Sequence, residues 1–152
     1  MREDLQWILK YSDGVETYLM YFHRDYEDFL ENEMFQDCCL AKIAQIAECL
    51  NRIDKNHPGL YDRFFTPIVG QFHGMRDITI HQYENIDFRI FWVFLTEERL
   101  EIATAARRCL DYLENPPEEE SLGLSSRKVS LLRNTSRTGS ASGPDESRPS
   151  GG

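Results

Sequence analysis

The sequence lacks both a long apolar run and an apolar leader at its N-terminus. Its densest apolar stretch, residues 88–95, is interrupted by Arg89 and is much shorter than the roughly 20 residues that a membrane-spanning helix needs. The first four residues, Met1-Arg2-Glu3-Asp4, are charged and lead into no apolar signal core. These absences disfavour a membrane or secreted protein, and we expect a cytoplasmic protein with no membrane partner.

Cysteine pairs with the spacing of a zinc site are also absent. The four cysteines are Cys38, Cys39, Cys49 and Cys109, and two of them are adjacent, which is not the arrangement of a metal-ligand pair. The ordinary interpretation is that they are buried or half-buried free thiols in a reducing compartment. We therefore predict no metal and no cofactor.

An excess of positive charge is absent as well, since the formal net charge is -9. Residues 1–114 carry 12 basic and 21 acidic groups, whereas residues 115–152 carry five of each. An acidic body argues against broad, nonspecific binding of nucleic acid, although it leaves room for a small cationic cleft.

Apolar residues at helical spacing predict an all-α domain of about five helices over residues 1–114. A first helix is expected over residues 4–22, with a further turn at residues 25–31. A second is expected over residues 36–53, ending near Pro58 because the residue before a proline avoids the helical region. The second helix has the clearest apolar stripe, formed by Leu40, Ile43, Ala47, Leu50 and Ile53.

The helices around the most polar stretch are predicted from their end signals. Thr66-Pro67 is typical of an N-cap followed by a first-turn proline. Residues 86–95 are apolar on nearly all sides and predict a short buried helix, with a strand as the alternative. Thr96 is the expected N-cap of the last helix, which should end at residues 115–117. The stripe of that helix is Leu100, Ala103, Ala106, Leu110 and Leu113.

Residues 115–152 are rich in Ser, Gly and Arg and have few apolar anchors. Such a segment cannot offset its ordering entropy by burial. We therefore predict a disordered C-terminal tail over residues 115–152, after a helical domain that ends at residue 114.

The candidate chemistry lies within eight residues and consists of Arg76, Asp77, His81 and Tyr83. Arg-x4-His alone is weak evidence, because about 0.3 occurrences are expected by chance at this composition. On a helix, Asp77 and His81 are neighbours on one face, so the carboxylate can orient the imidazole as in many catalytic sites. Arg76 and His81 are about 140° apart on an ideal helix, so they meet more easily across a groove or a dimer interface.

A purely structural interpretation of the same residues stays open. Asp77 and His81 could form a surface ion pair, with Arg76 solvated and Tyr83 packing its ring. The other histidines, His23, His57 and His73, are better explained as surface residues. The aromatic residues at helical spacing near the N-terminus are better explained by core or dimer packing than by base stacking; they are Tyr18, Tyr21, Phe22, Tyr26 and Phe29.

Taken in order along residues 1–114, these features resemble the HepT-like branch of the HEPN superfamily. Residues 36–53 resemble the family's second long helix, and residues 68–75 resemble the approach to its signature. The signature is Arg, a polar residue, three residues, His, any residue and Tyr, which residues 76–83 match. Ile86-Asp87 and the downstream Trp92 match further family positions. Asp stands at residue 77, where the family more often has Asn, and the tail has no counterpart.

The resemblance implies a four- to five-helix up-and-down bundle that forms a homodimer and brings two signatures to one cleft. It implies a metal-independent endoribonuclease toxin that acts on RNA, with His81 as general acid–base, Arg76 as electrostatic stabiliser and Asp77 as orienting group. It also implies a minimal nucleotidyltransferase (MNT) antitoxin that adenylylates Tyr83. The alternative is a non-catalytic adaptor of the same fold that binds a nucleotidyltransferase or a nucleotide.

Overall fold

The computed structural model describes residues 1–70 and 85–118, and the elements within them are helices, with no strand in those two ranges. Residues Met1–Glu114 form one compact unit. The predicted all-α fold is confirmed. The predicted tail falls outside the described residues from residue 119 onward. The elements are α1 (Arg2–Tyr21), α2 (Tyr26–Glu31), α3 (Glu33–Asn56), α4 (Pro58–Phe64), α5 (Thr66–Val69), α6 (Phe88–Val93), a π-helical turn (Phe94–Glu98) and α7 (Arg99–Glu114).

Helix α1 forms because one stripe of its residues is buried at steps of three and four. That stripe consists of Leu5, Ile8, Ser12, Val15 and Leu19. Gly14 lies close to α3, since a Cβ there would come within 3.1 Å of Lys42 Cε. The helix ends where His23 and Arg24 take positive φ angles of 59° and 52°, which turn the chain into α2. Asp25 caps α2, because its Oδ1 accepts a hydrogen bond from the Asp28 N–H at 3.1 Å.

Helix α3 confirms the second predicted helix. Asn32 caps its start through a hydrogen bond from the Phe35 N–H to Asn32 Oδ1 at 3.1 Å. The five residues of the predicted stripe are all buried. The helix ends at Asn56, and His57 before the proline leaves the helical region with φ -141° and ψ 59°. Pro58 then starts α4, a helix that the apolar pattern did not predict.

Two predicted N-caps are wrong. Thr66 lies inside α5 and donates its hydroxyl to Asp62 Oδ1 at 2.9 Å, because Phe65 keeps a helical conformation between α4 and α5. Thr96 lies in the π turn and donates to the Trp92 carbonyl at 2.9 Å. The helical path therefore runs without a break from α6 through the π turn into α7, instead of restarting at Thr96.

Helix α7, at the end of this helical path, also buries residues that differ from those predicted from the sequence. Residues 88–93 are helical, so the strand alternative is wrong. Leu100, predicted on the buried stripe, is 49% exposed. The buried face of α7 comprises Arg99, Ile102, Ala103, Ala105, Ala106 and Cys109. The π turn adds a residue to the helical turn that precedes α7, which rotates the apolar stripe away from Leu100.

The core lies where α1 packs against α3 and α7, and α2 closes one end against α3 and α6. An aromatic cluster fills that end, with Phe29 in contact with Phe35, Phe91 and Trp92 at ring distances of 5.0, 6.0 and 5.0 Å. Gln36 ties α2 to α3 by donating to the Phe29 carbonyl at 2.8 Å. Among the helices of residues 1–70 and 85–118, none is both long enough and apolar enough to cross a bilayer.

Candidate functional site

The predicted catalytic and modification residues lie outside the part of the chain that the structure describes. Arg76, Asp77, His81 and Tyr83, together with His73, fall within residues 71–84. The structure defines the two helical ends that flank this segment. Their packing decides how firmly the chain is anchored on each side of the candidate chemistry.

The leading end is held by aromatic packing of α4 and α5 against the rest of the domain. Phe65 is fully buried and stacks on Tyr61 with ring centroids 5.7 Å apart. Phe64 packs against Tyr112 of α7 at 5.5 Å, and the Arg63 guanidinium lies 4.3 Å from the centre of the same Tyr112 ring. Burial raises the pKa of the Tyr61 phenol. The helices that precede residues 71–84 are therefore packed against the rest of the domain.

The trailing end is held by a cap and a packed indole. Asp87 precedes α6 in an extended conformation, and its Oδ1 accepts a hydrogen bond from the Arg89 N–H at 3.0 Å. Trp92 lies one turn further on and contacts Phe29, Tyr26 and Phe35 at ring distances of 5.0, 5.6 and 6.1 Å. Asp87 caps the start of α6, and Trp92 packs α6 against α2 and α3. Two of the positions that carried the resemblance therefore have structural roles here.

A buried arginine fixes the same helical path to α1. Arg99 is 2% exposed. Its Nε donates to the Leu95 carbonyl at 2.8 Å, and its Nη1 donates to the Ser12 carbonyl and hydroxyl at 2.8 and 2.7 Å. Its Nη2 donates to Glu16 Oε2 at 2.7 Å. Every guanidinium nitrogen thus has a partner, as a buried cation requires.

Electrostatics at this arginine agree with a structural role. Burial is the main cause that lowers the pKa of Arg99, and the nearby Arg24 lowers it further. Arg24 also pairs with Glu16, so one carboxylate serves two guanidinium groups. Arginine stays protonated in proteins, so this is a charged network. Sequence reasoning missed it, although Arg99 continues the apolar spacing of Phe91 and Leu95, which was the available signal.

The four cysteines are free thiols. Cys39, Cys49 and Cys109 are buried, and Cys38 is half-buried, which confirms the prediction of buried or half-buried thiols. Burial, reinforced by Cys38, raises the pKa of Cys39 to about 12. Burial also raises the pKa values of Cys49 and Cys109. A thiol nucleophile needs a lowered pKa, so these three thiols are not suited to nucleophilic chemistry.

The remaining candidates are assigned by burial. His23 and His57 are exposed, as predicted for surface residues. Phe29 is fully buried and Phe22 stacks on Phe35 at 4.3 Å, which confirms core packing for these two aromatic residues. Tyr21 is exposed instead. In the two described ranges, no group of three or more His, Cys, Asp and Glu side chains is arranged to hold a metal ion.

Comparison with known proteins gives a match over most of the helical domain. The family model described as "Ribonuclease HepT-like" matches residues 8–109. Two proteins of Methanocaldococcus jannaschii, whose names give them as candidate RNases, are similar to this chain. MJ0125 is 26% identical over 70% of this chain and 88% of its own length. MJ1216 is 24% identical over 73% of this chain and 88% of its own length. No solved structure gives a significant match.

Proposed function

We propose that this chain, which belongs to the HepT-like ribonuclease family, is a metal-independent endoribonuclease toxin whose site includes Arg76, Asp77 and His81. The observation that carries the proposal is the family match over residues 8–109, because it includes the whole segment 76–83 with its Arg-x4-His spacing. The names of the two similar proteins support an RNase-type activity.

The proposed reaction uses the 2′-hydroxyl of the RNA as nucleophile. A histidine removes the proton from the 2′-oxygen, which attacks the adjacent phosphorus and forms a cyclic phosphate. The bond to the 5′-oxygen breaks, and an acid returns a proton to that leaving group. His81 is the proposed acid–base group, since an imidazole with a pKa near 6.5 can serve either role. Arg76 would stabilise the negative charge on the phosphate oxygens, and Asp77 would orient His81.

A homodimer would supply two histidines and two arginines to one cleft. The described surface that suits a dimer is a groove of about 310 Å³ beside α5, lined by Phe64 and Ile68 on one side and by Leu100, Thr104 and Ala105 of α7 on the other. Leu100 is exposed although it is large and apolar. Pairing of two copies at this groove would bring the C-terminal ends of both α5 helices, at Val69, towards the twofold axis.

Charges along α7 favour pairing of two copies in antiparallel orientation. Glu101 and Arg108 also line the groove. They are two turns apart, about 10 Å along the helix axis, and neither has an ion pair with any residue in the described ranges. In a twofold dimer that crosses at Thr104, Glu101 of each copy would lie beside Arg108 of the other, as an isologous interface requires.

The proposed control of the toxin is modification of Tyr83 by an MNT antitoxin. An AMP group on this phenol would add bulk and negative charge two residues from His81, where an RNA phosphate has to lie. It would also compete with RNA for Arg76. The second candidate function is the non-catalytic adaptor, which the acidic composition of the domain favours, since a net charge of -9 weakens general attraction to RNA.

RNA cleavage in the presence of EDTA separates the two candidates. We expect purified protein to cleave RNA in EDTA, and His81→Ala and Arg76→Ala each to lose about 10²-fold or more, the usual size of an acid–base or oxyanion contribution. His57→Ala is the matched control, because His57 is exposed between α3 and α4 and its substitution should leave the rate unchanged. Equal cleavage by the wild type and both signature variants would overturn the assignment of Arg76 and His81, whereas no cleavage by the wild type would favour the adaptor.

A further inference from the structure

A second surface at the junction of α1 and α2 has the properties of a docking site. Met20 and Tyr21, in the last turn of α1, are 66% and 71% exposed. They line a shallow groove of about 790 Å³ together with Phe22, His23, Asp25 and Asp28. We call this surface the α1–α2 groove. Exposing two neighbouring large apolar side chains to water is energetically unfavourable, so their exposure beside a groove indicates a surface that binds a partner.

Two carboxylates, Asp25 and Asp28, line the α1–α2 groove, and further carboxylates follow them along α2 and into the start of α3. Residues 25–33 contain five carboxylates and no basic residue; they are Asp25, Glu27, Asp28, Glu31 and Glu33. None of the five forms an ion pair with a residue of the described ranges. Arg24, the nearest basic residue along the chain, is already paired with Glu16. Within residues 1–70 and 85–118, no cation is therefore paired with these carboxylates.

The negative charge beside the apolar groove favours some binding partners over others. A second copy would bring the same carboxylates and RNA would bring phosphates, so repulsion between like charges opposes both occupants. A cationic segment with an apolar side chain is complementary to both features. Met20 is a flexible side chain that adapts to different partners, and Tyr21 is a residue type enriched among the strongest contacts at interfaces.

We propose that the α1–α2 groove binds a basic segment of another protein, which inserts an apolar side chain between Met20 and Tyr21 and pairs its Lys or Arg residues with Glu27 and Glu31. Asp25 and Asp28 have local roles, since Asp25 caps α2 and Asp28 accepts from Asn32 Nδ2 at 3.3 Å. Glu27 and Glu31 are exposed and one turn apart on α2, which makes them the carboxylates of this helix that are most available to a partner. This binding does not depend on RNA cleavage.

The test is selection of binders from a displayed library of random peptides on the full chain, with Glu27→Lys/Glu31→Lys protein as counter-selection. The peptides that are retained should carry net positive charge and at least one large apolar residue. Their affinity, measured by fluorescence anisotropy, should fall about 10-fold or more for Glu27→Lys/Glu31→Lys and for Met20→Ser/Tyr21→Ser. Asp54→Lys, an exposed charge reversal on α3, is the matched control and should bind like the wild type.

Three results would overturn the proposal. The first is that the retained peptides lack net positive charge, or that they bind Glu27→Lys/Glu31→Lys as well as they bind the wild type. The second is a change of oligomeric state in Met20→Ser/Tyr21→Ser by light scattering, which would assign the groove to a second copy. The third is a loss of RNA affinity in that variant with its circular dichroism unchanged, which would assign it to RNA.

Discussion

At the scale of single residues, Arg99 and Arg107 show how burial separates two side chains of the same type on one helix. Arg99 lies on the face of α7 that meets α1 and donates to Ser12 and Glu16, whereas Arg107 on the same helix is exposed. The first is part of the fold, and the second is available to solvent and partners.

Arg99→Met should lower the free energy of unfolding by about 2 kcal/mol. It leaves the buried Ser12 hydroxyl without its Arg99 donor and removes a cation from Glu16. Breaking a fully buried pair costs more, but Glu16 is partly exposed and its charge is therefore screened by solvent. Urea unfolding followed by circular dichroism measures the change. Arg107→Met is the control and should change stability by less than about 0.5 kcal/mol. Equal effects of the two substitutions would contradict the assigned network.

Tyr83→Phe tests the proposed modification without disturbing the proposed acid–base pair. The variant should retain the fold and much of the RNase activity, because the phenol hydroxyl has no assigned catalytic role. It should escape neutralisation by a nucleotidyltransferase and ATP, since the acceptor oxygen is absent. Mass spectrometry of the wild type should find the AMP adduct on the peptide that contains Tyr83.

Tyr26→Phe is the control for this experiment, because Tyr26 is an exposed phenol outside the signature and the substitution should leave neutralisation intact. An adduct confined to another residue, or full neutralisation of Tyr83→Phe, would remove the modification mechanism. The RNase proposal would still stand in that case.

At the scale of elements, the helical path after the signature begins at one N-cap and continues without the second helix start that was predicted at Thr96. Asp87 begins α6, and the path continues through the π turn at Phe94–Glu98 into α7. Phe94 and Leu95 in the π turn are fully buried, so the apolar core holds this turn although its hydrogen bonds are less regular. The helix that begins at Asp87 is thereby continuous with α7, which packs against α1.

Substitutions at Asp87 and Thr96 distinguish a helix start from a position inside a helix. Asp87→Ala removes a side-chain cap and should cost about 1 kcal/mol of unfolding free energy. Thr96→Ala should cost less than about 0.5 kcal/mol, because Thr96 bonds to a carbonyl one turn back and not to a free N–H. Thermal unfolding of both variants gives the comparison. A larger loss for Thr96→Ala than for Asp87→Ala would restore the N-cap that the sequence suggested.

At the scale of the whole molecule, the proposed dimer and the proposed partner groove use different surfaces. The first combines α5 with the face of α7 that carries Leu100, and the second lies at the α1–α2 junction. Their charges also differ, since the α7 face carries one charge of each sign, Glu101 and Arg108, whereas the α1–α2 groove is lined by the two carboxylates of Asp25 and Asp28. The molecule can therefore pair with itself on one surface while the other remains open to a basic partner.

Arg108→Glu should convert the dimer to a monomer, because it would place two like charges at each end of the antiparallel α7 pair. The double charge exchange Glu101→Arg/Arg108→Glu should restore the dimer, since it regenerates both opposite-charge contacts. Size-exclusion chromatography with light scattering at micromolar concentration measures the mass. Arg107→Glu is the control on the neighbouring exposed position. A wild type that is already monomeric, or a double variant that stays monomeric, would count against this interface.

The helices that bury one regular stripe were the predictable part of this fold. The stripes of α1 and α3 follow the three- and four-residue steps of a helix, so their existence and approximate bounds follow from local spacing. The end of α3 was predictable because a proline restricts the residue before it. Helix α4 was missed, since its seven residues bury no complete stripe and its stability comes from contacts with α3 and α7.

The sequence by itself determined the helical class of residues 1–114 and the chemical content of the signature, because both depend on which residue types stand at fixed spacings along the chain. The tertiary structure alone decided that Thr96 continues a helix, that Leu100 faces out and that Arg99 is buried. Each of these depends on which face of α7 meets α1, and that choice is set by packing between residues more than 80 positions apart, as in the pairing of Arg99 with Ser12 and Glu16.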